Sequence, residues 1–508
     1  MTQAQMIPST PALGLTLGEL AAELAALGAR VRGDAGVRVL DVRQDSRRVA
    51  AGDLFAARAG GQVDGASFAR DAISRGAVAV MVERGSALPD VGVPVIEVSD
   101  VRRAVAFAAE AVHQHPSRAI GVVGITGTNG KTTTSYLTAG AISAAGGRAG
   151  RLGTLGFAFE GDVVDSSLTT PEADEVTRLV ARVRDAGGTH LVMEASSHAL
   201  SLCRVEALTF AAAVFTNLTQ DHLDFHGSMD AYAAAKLRLF TELSPRVAIV
   251  NVDDPFGATV AARATAPVLR VSKRPGAADV CPVQVTLDAR GIRGTVRLPS
   301  RQVAIESRLV GAHNLDNLLA ALAVLEGLGL DVERAARGLD SAPAVPGRLE
   351  RCDTPGDDLL VLVDYAHTPD ALERALETCR SLTGGQVICV FGCGGDRDRA
   401  KRPKMGDAVG RLAHRAIVTN DNPRSEVPSA IAADIVPGLA PHGIPYEIEL
   451  DRARAIEHAV HGAAPGDVVL IAGKGHEPYQ IVGSERRSFD DRVEARRALS
   501  LRRGRGAV

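Results

Sequence analysis

At 508 residues the chain is too long for a single hydrophobic core, and about two to four domains are expected. Hydrophobic residues make up 46% and charged residues 23%, an ordinary balance for a soluble globular protein, while aromatics supply only 3% and Trp is absent, so the cores must rest on Ala, Val, Leu and Ile. A formal charge of −3 argues against bulk nucleic-acid binding or attachment to a membrane through a basic surface, so any anionic ligand must be held by local clusters.

The first residues, MTQAQMIPST, have neither a basic n-region nor an apolar h-region. They read as a disordered start with no secretory signal. No apolar run approaches the length that spans a bilayer. Six cysteines, at 203, 281, 352, 379, 389 and 393, form no C-x-x-C pair, which suggests neither a zinc site nor a disulfide framework and fits a reducing cytosol. The Arg-rich end, RRALSLRRGRGAV, reads as a solvated helix end rather than a nucleic-acid tail.

In chain order, Thr16-Leu-Gly-Glu19 resembles a capping box opening a helix, with Leu20, Leu24 and Leu27 on one face and Gly28 as the stop. Strand-like and helical stretches alternate to about His115-Pro116. A second module, to about Pro346, has strand candidates at 119–125, 190–193, 210–215 and 247–252. A third begins near Gly347-Arg348, with strands expected at 360–364, 386–391, 415–419 and 467–472. The expected domains are therefore 1–116, 117–346 and 347–508. Short apolar runs alternating with helical patterns imply an α/β fold, with parallel sheets covered on both faces by helices and ligands at the carboxyl ends of the strands.

The most informative stretch is 124–134, GITGTNGKTTT. An apolar strand precedes it and a run suited to a helix, Ser135–Ala144, follows, the setting of a phosphate-binding loop. Gly127 and Gly130 permit close backbone approach, helix-start N–H groups point at phosphate oxygens, Lys131 adds a point charge, and Thr132 or Thr133 offers a hydroxyl to Mg²⁺. The loop departs from the strict G-x-x-x-x-G-K-S/T form because Ile125 stands at the first Gly position.

Two further clusters follow strands of the second module. In Met193-Glu-Ala-Ser-Ser-His198, Glu194 is a candidate Mg²⁺ ligand and Ser196 and His198 are candidate substrate contacts. In Thr216-Asn-Leu-Thr-Gln-Asp-His-Leu-Asp-Phe-His-Gly227, Asp221, His222, Asp224 and His226 crowd one loop, which fits either a metal site or a capping loop rich in hydrogen bonds. The helix after it, capped by Ser228, carries Tyr232, Lys236 and Phe240 on one stripe. On the residues alone Lys236 reads as a snorkelling lysine, with a depressed-pKa lysine as the alternative.

In the third module Asp364 is placed to accept from a ribose hydroxyl, and His367 is a candidate phosphate contact. Three further strand ends carry Phe391-Gly-Cys-Gly-Gly-Asp-Arg-Asp-Arg399, Thr419-Asn-Asp-Asn-Pro-Arg424 and Ile471-Ala-Gly-Lys-Gly-His-Glu477. Arg397 and Arg424 suit a carboxylate and Glu477 suits an ammonium, so together they fit a zwitterionic amino-acid head group.

These residues in this order resemble the Mur ligases, ATP-dependent amino-acid ligases of peptidoglycan precursor synthesis, from about Asp45 to Glu494. GTNGKT marks a superfamily that includes folylpolyglutamate synthase. Asp45-Ser-Arg47 with Gly52-Asp-Leu-Phe55, DHLDFHG and the DNPR of 421–424 are more specific and resemble the branch that adds diaminopimelate as the third residue. The resemblance implies a central P-loop-type ATPase domain, a C-terminal Rossmann-like domain and a smaller N-terminal α/β domain. It implies that Gln44, Ser46, Gly61, Gln62 and Val63 hold the uridine end of UDP-N-acetylmuramoyl-L-alanyl-D-glutamate, and that Thr169, Thr170, Ser196 and Arg204 hold its muramoyl-dipeptide part.

ATP is implied at Ile125, Thr126, Gly127, Thr128, Asn129, Gly130, Lys131 and Thr132, with Asn251, Arg348 and Asp364 closing on it when the third module swings in. Two Mg²⁺ ions are implied at Thr132, Glu194, His222 and Lys236, the last N6-carboxylated by CO₂, which makes Lys131, Lys236 and His222 the catalytic set. Meso-diaminopimelate is implied at Arg397, Asp421, Asn422, Pro423, Arg424, Gly473 and Glu477. A cytoplasmic monomer with no nucleic-acid partner and no membrane insertion is expected. Family members often carry Asn and Gln where this chain has Leu168 and Leu202, so two polar contacts near the dipeptide are absent.

The implied reaction makes an amide. The D-glutamate side-chain carboxylate attacks the γ-phosphate of ATP to give an acyl phosphate and ADP, and an amine of diaminopimelate then expels phosphate. Rival readings are lysine or ornithine addition, against which Arg424 argues; folate polyglutamylation, against which the first module and DNPR argue; and a nucleotide-gated binding protein without ligase chemistry.

Overall fold

The computed structural model describes residues 14–58, 64–88, 90–166, 168–339 and 345–505. The opening residues and Gly61, Gln62 and Val63 lie outside them. The chain forms two compact units: the first runs to Val283 and includes Thr295–Ala304 and Asp316–Leu339; the second comprises Gln284–Gly294, Ile305–Leu315 and the chain beyond Leu339.

The first unit contains two main sheets. One holds β1 (Arg30–Arg32), β2 (Asp41–Arg43), β3 (Asp53–Ala57), β4 (Ala79–Glu83) and β5 (Val95–Val98) in the order β1-β5-β4-β3-β2. All its pairings are parallel except β1 with β5. Helix α1 (Leu17–Glu23) opens on the expected capping box: Thr16 Oγ1 accepts from Glu19 N at 3.2 Å and Glu19 Oε2 from Thr16 N at 2.8 Å. It ends sooner than its leucine stripe suggested, giving way to a 3-10 turn over Ala25–Leu27 that Gly28 closes in the left-handed region. Helix α2 (Val101–Val112) packs its apolar face into the same core.

The other sheet holds β6 (Gly121–Thr126), β7 (Ala149–Gly153), β8 (Gly156–Phe159), β9 (Asp162–Val164), β10 (His190–Glu194), β11 (Phe210–Phe215), β12 (Ala248–Asn251) and β13 (Val268–Val271) in the order β9-β8-β7-β10-β6-β11-β12-β13. Strand β6 is central and buries Val122, Val123 and Ile125 completely, on both faces, as the continuous apolar run of a covered parallel strand requires. The departure from an all-parallel sheet is the edge β7-β8-β9, whose antiparallel hairpins come from short turns around Gly156 and Gly161. Helices α3 (Lys131–Ala144), α4 (Ala173–Asp185) and α5 (Met229–Thr241) belong to this unit. Helix α3 starts four residues before the expected Ser135, because Gly130 takes the left-handed N-cap conformation (φ 86°) and lets the helix begin at Lys131.

The second unit is built on β14 (Glu350–Arg351), β15 (Leu360–Asp364), β16 (Val387–Phe391), β17 (Arg415–Val418), β18 (Tyr446–Ile448) and β19 (Val468–Ala472), in the order β14-β15-β19-β16-β17-β18. Only β14 pairs antiparallel. One face packs against a core containing Leu372, Met405 and Ile435, and the other against one containing Ile456 and Ala495. The second core includes α6 (Arg452–Gly462) and α7 (Asp491–Arg505). Helix α7 absorbs most of the Arg-rich end.

Candidate active site

In the first unit the loop Gly127–Gly130 leaves the carboxyl end of β6 and enters α3. The residues that leave β11, Thr216 and Asn217, hold it in place. Thr128 N donates to Asn217 O at 2.9 Å, Asn129 N to Asn217 Oδ1 at 2.9 Å, and Thr216 Oγ1 to Asn129 O at 2.7 Å. Only glycine fits at 127: a Cβ there would lie 1.9 Å from Thr216 Oγ1 and 3.0 Å from Asn217 N. Lys131 bends back so that Nζ donates to the carbonyls of Gly127 and Thr128, both at 2.9 Å. The first N–H groups of α3 have no acceptor within the helix and point out of its start, toward the loop. A polyphosphate matches that geometry.

Lys236 lies beneath the loop on α5. It is 1% exposed, its Nζ donates to Gly127 O at 2.8 Å, and the ammonium stands 4.3 Å from the Tyr232 ring centre. The snorkelling reading is therefore wrong: the head group is buried with its stem. Burial, and secondarily the charge of Lys131, hold its pKa well below the ordinary lysine value, so a neutral amine is readily reached.

Glu194 ends β10, where it pairs in register with Ile125 of β6. It is 1% exposed, and its carboxylate accepts from Thr154 N at 2.9 Å and Thr154 Oγ1 at 3.1 Å. Thr132 is buried at the first turn of α3. His222 takes a left-handed conformation (φ 52°) and stays half-exposed, its ring 4.8 Å from that of His198. Burial and then the charges of His222 and neighbouring groups lower the pKa values of His198 and His226. Among the described residues no three His, Cys, Asp or Glu side chains form a metal cage.

The dipeptide candidates make a continuous chain of bonds. Thr170 Oγ1 donates to Glu194 O at 2.7 Å and lies 3.2 Å from Ser196 Oγ. Arg204 donates to Thr170 O at 3.1 Å and to Glu172 at 2.8 Å. Arg58 links the other oxygen of Glu172 (3.1 Å) to Gln44 Oε1 (3.3 Å). Thr169 Oγ1 sits 3.3 Å from Thr154 Oγ1, and Ser46 is buried in the turn after β2. Leu168 is exposed. Asn251 donates to Thr216 O at 2.8 Å, next to the phosphate loop's anchor.

In the second unit the Gly392–Arg399, Asp421–Arg424 and Gly473–Glu477 loops follow β16, β17 and β19, with β16 between the other two. Asn422 Nδ2 donates to Glu477 Oε2 at 2.9 Å. Gly473 must lack a side chain, since a Cβ would stand 2.6 Å from Asp421 Oδ2. Arg424 (φ 50°) donates to Gly395 O at 2.8 Å, and Arg397 is exposed; the space beside Gly394 lies within 4 Å of both side chains. Asp364 already accepts from Leu349 N (2.7 Å) and Ala366 N (2.8 Å), and burial raises its pKa. Arg348 stacks 5.1 Å from the Tyr365 ring, and its buried Nε has no hydrogen-bond partner. His367 Nδ1 bonds Tyr365 O at 2.8 Å. Sequence reasoning passed over Lys474, whose fully buried Nζ lies 3.1 Å from Asn422 Oδ1 and 3.4 Å from Glu477 Oε2, and Asn217, which grips the phosphate loop. Both lie inside motifs that follow strands, Lys474 in 471–477 and Asn217 in 216–227, but nothing in the sequence marks either for its role.

With both sites in view, the chain matches the Mur ligase family catalytic domain over residues 41–113, the Mur ligase middle domain over 125–325 and the Mur ligase glutamate ligase domain over 347–475. A protein of Gloeobacter violaceus named UDP-N-acetylmuramoyl-L-alanyl-D-glutamate–2,6-diaminopimelate ligase is 46% identical over 95% of this chain and 98% of its own. The chain belongs to the Mur ligase family. A second Mur ligase of that name, from Synechococcus elongatus, is 43% identical over 99% of both chains. A solved structure with the same name has a TM-score of 0.72 at 33% identity, covering 97% of this chain and 100% of the other. Among the described residues of this Mur ligase no helix is long and apolar enough to cross a membrane.

Proposed function

We propose that the protein is an ATP-dependent ligase that joins meso-2,6-diaminopimelate to the D-glutamate side-chain carboxyl of UDP-N-acetylmuramoyl-L-alanyl-D-glutamate. The observation that carries this reading is the near-complete likeness to ligases of that name, 46% identical over 95% of the chain. The reaction transfers the γ-phosphoryl group to the carboxylate, releasing ADP, and the acyl phosphate is then opened by the amine with loss of phosphate.

Residues 125–132 take the nucleotide phosphates, with Lys131 turning from the carbonyls of Gly127 and Thr128 toward them. Asn251, bonded to the anchor of that loop, is assigned to the same nucleotide. Gln44, Ser46 and the 61–63 segment are assigned to the uridine end, and Thr169, Thr170, Ser196 and Arg204 to the muramoyl dipeptide. Arg204 supplies the cation for its carboxylates.

The donors near the loop are oxygens from Thr132 and Glu194, the hard type that Mg²⁺ takes alongside phosphate and water. Magnesium held by these oxygens would supply the charge that offsets the repulsion between the attacking carboxylate and the γ-phosphate. Lys236 is assigned to carboxylation by CO₂: its buried amine reacts when neutral, losing a proton and gaining a carboxylate, which converts a cation into an oxygen donor alongside His222.

In the second unit, Arg424 and Arg397 take the distal carboxylate of diaminopimelate, and Asp421, Asn422, Pro423, Gly473 and Glu477 frame its ammonium end. Lysine and ornithine lack that carboxylate and would leave the arginines without an anionic partner, a loss of about 10²–10⁴ in selectivity. A monomer acting in the cytoplasm completes this reading. The test is mass spectrometry of the products: the UDP-linked tripeptide should form in step with ADP, one for one. ADP formed without the tripeptide would sink the assignment.

A further inference from the structure

Arg452 and Asp491 form an ion pair shut off from water, with both side chains 0% exposed. The pair is bidentate: Arg452 Nε meets Asp491 Oδ1 and Nη2 meets Oδ2, each at 2.7 Å. Arg452 is the first residue of α6 and Asp491 the first of α7. Taking two charges out of water is expensive, and a buried pair is often no more stable than apolar residues of the same volume. Stability alone therefore explains it poorly.

The rest of the guanidinium shows another task. Nη1 donates to Asn420 O at 3.1 Å and Nη2 to Ala472 O at 2.9 Å. Asn420 immediately precedes Asp421-Asn422-Pro423-Arg424, and Ala472 immediately precedes Gly473-Lys474-Gly475-His476-Glu477. Their strands, β17 and β19, are not neighbours; β16 lies between them. One side chain thus ties together, across a strand, the carbonyls at the root of two loops. Further out the same loops are joined by Asn422, which donates to Glu477 Oε2 at 2.9 Å, and by Lys474, whose Nζ lies 3.1 Å from Asn422 Oδ1.

We propose that Arg452, oriented by Asp491, is a positioning residue for the amino-acid substrate: it sets the spacing between the Arg424 loop and the Glu477 loop, and so the fit to a molecule with a carboxylate at one end and an ammonium at the other. The inference rests on the reading that these loops bind diaminopimelate. A fork that donates to two carbonyls and a carboxylate at once is a job for guanidinium; an ammonium cannot reproduce its planar geometry.

The test uses the full-length enzyme and two variants. Arg452→Lys keeps a charge against Asp491 but loses the fork. Arg452→Met combined with Asp491→Leu removes both charges and leaves no lone buried ion. In each, KM for diaminopimelate should rise by about tenfold or more, as misplacing positioned groups can cost, while KM for ATP and for the UDP-linked dipeptide stays within about twofold. An unchanged diaminopimelate KM in either folded variant overturns the proposal. So does an equal rise in all three KM values, or failure of both variants to fold, since each marks a purely structural pair. If the double variant alone fails to fold, Arg452→Lys decides. Wild-type enzyme lacking diaminopimelate-dependent ADP release would instead sink the functional reading on which the inference stands.

Discussion

Lys131 and Lys236 donate to the same acceptor, the carbonyl oxygen of Gly127, at 2.9 and 2.8 Å. Two ammonium groups on one oxygen repel each other, and only one of them reaches water. Lys236, 1% exposed, is the one whose charged form is disfavoured. The phosphate loop therefore carries the Lys131 side chain above and a poised amine, Lys236, below.

This arrangement predicts a dependence on CO₂. Activity should fall in buffer stripped of CO₂ and bicarbonate and return when bicarbonate is added. Lys236→Ala should lose about 10²-fold or more in kcat, the scale of removing one preorganised charge-stabilising group, with nucleotide binding kept. Steady-state rates with and without bicarbonate check both.

The same lysine should shape stability. Its folded pKa is depressed below 10.5, so between the two values the unfolded chain holds the extra proton and stability rises with pH. Lys236→Met should flatten that rise and lift the neutral-pH melting midpoint by about one to a few degrees. Thermal melts from pH 6 to 10 measure the slope.

Gly127→Ala should empty the nucleotide site without unfolding the chain. The new Cβ would meet Thr216 Oγ1 at 1.9 Å, and the backbone of Asn217 leaves it little room to move. Displacing the loop by even about 1 Å costs on the order of 10²-fold in a positioned site. Calorimetry with an ATP analogue should show the loss, and circular dichroism an unchanged fold.

Arg424→Ala should raise the diaminopimelate KM by about 10²-fold and leave the KM for ATP unchanged, because only the distal carboxylate loses its partner. Discrimination against lysine should shrink accordingly. Kinetics with each amino acid in turn check the prediction.

Glu110, on α2, is 2% exposed; its Oε2 accepts from Ser117 Oγ at 2.8 Å while its Oε1 has no partner. Burial pushes its carboxyl up to about 7 from 4.5. Between those values the folded chain holds the proton and the unfolded chain does not, so stability is present below 4.5 and is lost as pH rises toward 7. Glu110→Gln should remove this loss and gain about 2 kcal/mol at pH 8, as denaturant melts at pH 5 and 8 would show.

The parts of this architecture that a linear reading could reach are those dictated locally. A strand, a glycine-rich turn and a helix start must be consecutive to cradle phosphate, so 121–144 was visible as a unit. The strand ends carrying Arg397, Arg424 and Glu477 were visible because apolar runs stop where polar motifs begin. Other features depend on partners far along the chain. Asn217 holds Asn129 across 88 positions, and Asn317 accepts from Thr134 across 183. Lys236 shares a stripe with Tyr232 and Phe240 that looks the same whether the head group is wet or buried. What decides is the Gly127 carbonyl, 109 positions away. The early start of α3 turned on a single left-handed residue, Gly130, which composition does not reveal.

The most direct test of the account is ADP release from ATP in the presence of UDP-N-acetylmuramoyl-L-alanyl-D-glutamate, with meso-diaminopimelate, lysine and ornithine supplied in turn. Rapid, sustained release is expected with diaminopimelate and not with the other two amino acids. Equal release with lysine, or none with any of the three, would contradict it.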